Sequence, residues 1–365
     1  MEVDTGKKVC WNAAATKACQ EVTKSSQLLR SASKTSHAGG IQRRLVLSTV
    51  GAFARLFTSV LNRTTVYNKD TLLDLVQSRP SDTPLVTVSN HMSTVGLRSV
   101  PVSMYRLDDP LMWGMKGLPI TDPKLSRWTL TAEDICFTNP IFSYFFRLGK
   151  CLPVRRGAGI HQPYMDEALD VINRGDWLHT FPEGKLSQEE GPMRRLKWGT
   201  ASLIARASVQ PIVLPIAHSG YEKVPKVWPS SVTTVLPENY MFGRRPLLPL
   251  PMKRITIVVG EPMVFDIPQL KLIAKSVVSR GASETRSSVP HLSGAGRAGS
   301  REGTNSVDFS SPHFDDVLKE RFVGESSAIL EEKVQRWMYS HMSENLRCLL
   351  QDLALKAKVL NAEQG

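Results

Sequence analysis

The stretch "PLVTVSNHMSTVGLRSVPVSMYRLDDPLMWG", Pro84 to Gly114, decides the reading of the fold. Its first seven residues are compact, uncharged and rich in β-branched side chains. They read as a strand buried on both faces. A buried strand needs partners of its own kind. "CLPVRR" (151–156), "DWLHTFPEG" (176–184), "PIVLPIAHSG" (211–220) and "RITIVVGEP" (254–262) have the same character, and each ends in polar or Gly/Pro residues. Helical candidates lie between them: Pro140 to Arg147, Gln162 to Asn173 and Arg194 to Ala207. The alternation predicts an α/β domain, with a mostly parallel or mixed central sheet flanked by helices. It also gathers the polar strand ends on one edge of the sheet, where open α/β sheets place their chemistry.

Composition and pattern divide the chain into five parts. Residues 1–40 are a basic leader without fixed structure, residues 41–63 a membrane-interfacial helix, and residues 64–278 the α/β domain. Residues 279–316 are a disordered insert, too poor in large apolar side chains to offset chain entropy. Residues 317–365 form a C-terminal helical segment, with apolar positions such as Leu330, Val334, Trp337, Leu346 and Leu353 at helical spacing. The interfacial helix is read from "LVLSTVGAFARLFTSVL", Leu45 to Leu61. It is preceded by Arg43 and Arg44, interrupted by Arg55 and followed by Arg63. Basic flanks and one internal arginine suit a helix lying in a membrane interface. A buried helix of a soluble domain is the alternative.

The formal net charge is +12, and residues 1–80 hold twelve Lys/Arg against five Asp/Glu. That balance points to anionic partners such as phospholipid headgroups. Aromatic residues make up 7% of the chain and do not interleave with the cations, so a nucleic-acid partner is not expected. Five cysteines without CxxC spacing argue against a disulfide framework or a zinc site. The leader is rich in Ser, Thr, Ala and Lys, as in a mitochondrial transit segment, although Glu2, Asp4 and Glu21 also suit a plain tail.

Motifs for a nucleophile elbow (GxSxG), a phosphate loop, a dinucleotide fold and a zinc protease (HExxH) are missing. Four polar clusters stand instead in a fixed order: Asn90-His91 with Asp108-Asp109-Pro110, then "GKCLPVRRG" (149–157), "FPEGK" (181–185) and "PIVLPIAHSG" (211–220). Together they resemble the glycerophospholipid acyltransferase superfamily and its tafazzin-like branch. The likeness extends to "AEDICFTNPIFSYFFRLGKCLPVRRG" and "GDWLHTFPEGK", and covers roughly residues 64 to 265.

The resemblance implies an acyl transfer onto a lysophospholipid, as in cardiolipin or other phospholipid remodelling. Similarity to plant-type members keeps N-acylation of phosphatidylethanolamine open. It implies His91 as general base and Asp108 as the carboxylate that orients its imidazole. It further implies Arg156, Glu183, Gly184, Lys185 and Pro215 as substrate-binding positions. Arg156 would hold the glycerophosphate, and Pro215 would shape the acyl-donor side. Neither a metal nor a resident cofactor is implied; acyl-CoA or a phospholipid would be the acyl-donor substrate. The expected partners are a phospholipid membrane, a lysophospholipid and the donor. The expected place is a membrane, mitochondrial or another of the cell.

One departure matters. The family's first motif spaces its His and Asp by four residues, whereas here sixteen separate His91 from Asp108. Removing the twelve residues Val95 to Arg106 restores "NHMSTLDDPLMWG". The stretch "VGLRSVPVSMYR" therefore reads as an insertion inside the catalytic motif. A catalytically silent, lipid-binding form of the protein is the rival expectation. "PKVWPSSVTTV" (225–235) reads as a second such insertion. "HQPYMD", His161 to Asp166, has the right spacing but lacks the preceding strand and reads as coincidence.

Overall fold

The computed structural model describes residues 38–91, 108–184, 192–220, 253–287 and 312–364. The chain forms two compact units: Met1–Val264 together with Ser343–Gly365, and Phe265–Met342.

The first unit is built on seven strands: β1 (Arg63–Tyr67), β2 (Leu85–Ser89), β3 (Trp128–Ala132), β4 (Cys151–Val154), β5 (Trp177–Thr180), β6 (Ile212–Ser219) and β7 (Arg254–Val259). Their spatial order is β1-β7-β6-β2-β5-β3-β4. The five strands from β6 to β4 are mutually parallel. β7 runs antiparallel to β6 and pairs in parallel with β1. The sheet is therefore mixed, with a parallel centre.

The strand predicted from Pro84 onward lies in the middle of this sheet, and all five of its residues are buried. Full burial of Leu85, Val86 and Val88 contributes about 1.5–3 kcal/mol each. β1 and β3 were not foreseen. "RTTVY" is a short, half-buried edge strand, and "WTLTA" alternates apolar residues with threonines. Neither presents a compact apolar run.

The helices of this unit are α1 (Ala38–Leu56), α2 (Lys69–Gln77), α3 (Asp108–Met112), α4 (Glu133–Cys136), α5 (Pro140–Leu148), α6 (Pro163–Asn173) and α7 (Trp198–Arg206). Phe57–Leu61 continue α1 as a wider, π-type turn. Asn139 caps α5 by accepting from the Ile141 N–H at 2.8 Å, and Pro140 occupies the first turn. α6 also opens on a proline, Pro163, as the sequence suggested.

α1 is seated on the domain along one flank and bare along the other. A Cβ on Gly114 would lie 2.2 Å from the Ala54 carbonyl oxygen, so only glycine permits this approach. Arg55 turns inward, and its Nη2 donates to the Leu118 carbonyl at 2.8 Å. Arg43 is buried, with its guanidinium 5.4 Å from the centre of the Trp128 ring. Ile41, Leu45, Leu56 and Val60 on the other flank are exposed. The helix is thus not a buried core helix. Gly40–Leu61 is the one segment, among the described residues, long and apolar enough to cross a bilayer.

The second unit packs α8 (Ile267–Ser287) on α9 (Pro312–Glu363) through Ala274, Val334 and Met338. α8 runs past residue 279, where the sequence suggested an irregular segment. "GASETRS" contains no proline and only one glycine, so a helix can continue through it. α9 likewise begins at Pro312, before the expected boundary at 317. Its last part belongs to the first unit, where Ala357 packs on Ala217 and Val258. The leader up to residue 37, the 225–235 stretch and residues 288–311 lie outside the described residues.

Candidate active site

Parallel strands end on a common edge. That edge carries Asn90-His91 after β2, Phe181 to Gly184 after β5, Glu133-Asp134 after β3, Arg155-Arg156 after β4 and Gly220 after β6. The sheet thus brings the polar clusters together as the sequence implied.

His91 is held by its neighbours' backbone chemistry. The Asn90 side chain donates to the His218 carbonyl at 3.0 Å and accepts the His218 N–H at 2.9 Å. This clip carries the β2–β6 ladder one residue past the end of β2. The His91 N–H donates to Glu183 Oε1 at 2.9 Å. Phe181 lies against the imidazole, with ring centres 4.5 Å apart. Both His91 and Glu183 are buried. Glu183 reaches this position through a tight turn, in which the Gly184 N–H donates to the Phe181 carbonyl. Gly184 has φ +65°, a conformation that suits glycine. Burial pushes the Glu183 carboxyl above its ordinary pKa, although the His91 N–H, the His91 ring and Arg194 pull the other way.

A row of rings runs from His91 into the core. Phe181 meets His179 edge-on at 4.6 Å, and His179 meets Trp113 edge-on at 5.0 Å. His179 is fully buried between two hydroxyls: Thr87 Oγ1 lies 2.9 Å from Nδ1 and Ser89 Oγ 3.3 Å from Nε2. Thr87 Oγ1 already accepts from Trp177 Nε1 at 2.9 Å. The network closes when Thr87 donates to Nδ1 and the imidazole keeps its proton on Nε2. Burial pushes the His179 pKa down to about 3, so the ring stays neutral.

The row ends at Asp109. Trp113 Nε1 donates to Asp109 Oδ1 at 3.2 Å. Arg127 grips the same carboxylate with Nε at 3.0 Å and Nη2 at 2.5 Å, and Thr129 adds a hydroxyl at 3.2 Å. Burial raises the Asp109 pKa, but Arg127, His179 and these hydrogen bonds outweigh it and hold the carboxyl below its usual value. Asp109 is therefore committed to anchoring the start of α3, while Asp108 beside it is the residue the motif assigns to His91. The Asp108 backbone opens α3; its side chain, and residues 92–107 with the whole insertion, lie outside the described residues. The described residues nearest the insertion on each side are held, His91 by Asn90 and Glu183 and Asp109 by Arg127.

The outer flank of the edge is built of ion pairs. Arg155 Nε donates to Glu133 Oε2 at 3.0 Å, and Arg156 Nε donates to Asp134 Oδ1 at 3.1 Å. These four residues, with Phe137 and Thr138, line an open depression. Arg156, the expected phosphate ligand, is thus already paired, and a substrate phosphate would have to compete with Asp134.

Pro215 does not join the edge. It lies buried within β6 opposite Val88, and its carbonyl accepts the Gly260 N–H at 2.8 Å. Lys185 lies outside the described residues. In the coincidental pair, His161 is exposed and Asp166 is bound to Arg206 at 2.6 Å. His179, Trp113 and the Asp109–Arg127 pair were not foreseen. Trp113 and Asp109 stand in the opening stretch and His179 in "DWLHTFPEG", but strand order, which sequence does not print, is what joins them.

A small apolar groove lies between α1 and the loop after α3. It is lined by Leu47, Gly51, Ala54, Trp113, Ile120 and Trp177, so its wall shares Trp113 with the ring row.

A buried histidine at a strand end, an ion-paired cationic flank and an apolar groove thus lie in the first unit. Residues 63–219 match the Acyltransferase family model. The N-acylphosphatidylethanolamine synthase of Arabidopsis thaliana is 45% identical over 335 residues, which span 92% of this chain and 99% of that protein. Tafazzin of Drosophila melanogaster is 36% identical over 60% of this chain and 51% of its own length. The 1-acyl-sn-glycerophosphate (LPA) acyltransferase PlsC from Thermotoga maritima is similar in structure, at 18% identity and a TM-score of 0.39, over 73% of this chain and 90% of that one. The chain belongs to the tafazzin-like glycerophospholipid acyltransferases.

Proposed function

We propose that this protein moves a fatty acyl group onto a nucleophile carried by a phospholipid, with His91 as general base. The observation that carries the reading is the fixed position of His91: at the end of the central strand, tied to Glu183 and in line with the Arg155-Arg156 flank. His91 takes the proton of an acceptor hydroxyl or amine as that group attacks the acyl carbonyl. The tetrahedral intermediate collapses with loss of the donor's leaving group, a coenzyme A thiol or a phospholipid's glycerol oxygen, which receives the proton from the imidazolium. Asp108 steadies the ring in this scheme. Arg156 leaves Asp134 for the substrate phosphate, a stronger charge-assisted partner.

Of the two acceptors, the amine of phosphatidylethanolamine is favoured by the relative that matches almost the whole chain. The lysophospholipid hydroxyl is favoured by the tafazzins, which match a shorter part. One assay separates them. The full chain receives a labelled acyl donor with each acceptor in turn, and His91→Ala serves as the blank. An amide product resists mild alkali, whereas an ester is cleaved. Label in the amide supports the first acceptor and label in the ester the second. No label above the blank with either acceptor contradicts the proposal.

A further inference from the structure

The first unit leaves an apolar face exposed on α5. α5 buries Ser143, Arg147 and Leu148 but exposes Ile141, Phe142 and Phe145, at 67%, 50% and 53%. Three large apolar side chains on nine residues, all outward, are not the scatter usual for a surface. Among the neighbours of α5 is the exposed flank of α1. The two helices are in contact, and Tyr144 of α5 donates a hydrogen bond to Gln42 of α1. Their bare faces are therefore adjacent: Ile141, Phe142 and Phe145 on one helix, Ile41 and Leu45 on the other.

We infer that α5 is a second membrane-contacting element, whose phenylalanines enter a lipid surface beside the exposed stripe of α1. The inference rests on the lipid-acting function proposed above. Charge favours lipid as the occupant. The stripe Ile41, Leu45, Leu56 and Val60 carries no charge because Arg43 and Arg55 are turned into the domain. The cations at its borders, Arg44 and Arg63, are exposed. An apolar face rimmed by arginines fits the boundary between acyl chains and anionic headgroups. α5 also links this face to the site: Phe137, just before α5, lines the depression that contains Arg155 and Arg156. A membrane on α5 therefore delivers headgroups next to the cationic flank.

The test uses the full chain, the double variant Phe142→Ser/Phe145→Ser, and Leu272→Ser as a control at another exposed apolar position. Partition onto vesicles of phosphatidylcholine and phosphatidylglycerol is measured by co-sedimentation, which needs no catalysis. The double variant is expected to lose about tenfold in partition for each phenylalanine removed. Leu272→Ser should bind as the parent does. Urea midpoints should be unchanged, because the side chains are exposed. Acyl transfer to dispersed short-chain acceptors should also be unchanged. Equal partition of parent and double variant would overturn the proposal and leave the catalytic reading intact. A parent that dimerises without lipid, and a double variant that does not, would also overturn it by assigning the face to a second copy of the chain.

Discussion

Two regions of one sheet edge differ in construction. At the ends of β2 and β5, His91 and Glu183 are buried, and the Asn90 clip, the Glu183 carboxylate and a row of rings hold His91, the proposed base. Three strands away, about 14 Å at ordinary strand spacing, Arg155 and Arg156 stand in ion pairs with substantial exposure. Exposed pairs of this kind hold little energy and rearrange readily. The first region suits proton transfer, which tolerates little displacement. The second suits headgroups, which must enter and leave. The difference separates a rigid place for chemistry from an adjustable place for binding.

The comparison breaks most sharply at His91. His91→Ala should lower acyl transfer by about 10²–10⁴-fold, the usual worth of a general base, with little change in the urea midpoint. Next comes the insertion. Lengthening the loop costs only about 1.2 kcal/mol in closure entropy. His91 and Asp109 on either side are held, but a 1 Å displacement of Asp108 would cost about a hundredfold in rate. Deleting Val95 to Arg106 should therefore raise turnover by up to about that factor, measured against the parent under the same donor. Equal rates would show that the inserted residues leave the pair whole.

The anchor behind the site comes third. Asp109→Ala leaves Arg127 without its carboxylate and should cost about 3 kcal/mol of stability by urea denaturation. Acid probes the same region more gently. The unfolded His179 ring takes a proton near pH 6.5, whereas the folded one does so only near 3. Its contribution is thus complete above pH 6.5 and is lost as pH falls towards 3. Asp109, whose folded pKa is depressed, adds a loss at lower pH still, as its carboxyl protonates. The urea midpoint should fall from pH 6.5 to pH 4, and His179→Gln should flatten that slope. The smallest effect belongs to the flank. Asp134→Ala should leave stability unchanged and lower the KM for the acceptor a few-fold, by freeing Arg156.

Much of this was legible in the sequence, for physical reasons that also mark where legibility stops. Compact apolar runs bounded by polar or Gly/Pro residues announced β2, β6 and β7 inside the sheet, and the shorter runs of β5 and of the edge strand β4 followed the same pattern. β1 and β3 escaped because RTTVY and WTLTA present no compact apolar run, although β3 lies inside the sheet. His91, Glu183 and Gly184 were named through the motifs that carry the family resemblance, and the fold sets all three just past strand ends. The row from Phe181 through His179 to Trp113 was not legible, since it crosses between strands whose order only folding sets. Arg55 carried a double meaning: its charge suggested an interfacial helix, and the fold satisfies that charge inside the domain.

The most direct test is a side-by-side titration of the phospholipid acceptor with His91→Ala and Arg156→Ala. The account predicts a collapse of kcat at nearly constant KM for the first. For the second it predicts a raised KM with kcat largely kept. A His91 variant that turns over like the parent, or an Arg156 variant that loses kcat alone, would contradict the division of the edge into a base and a headgroup site.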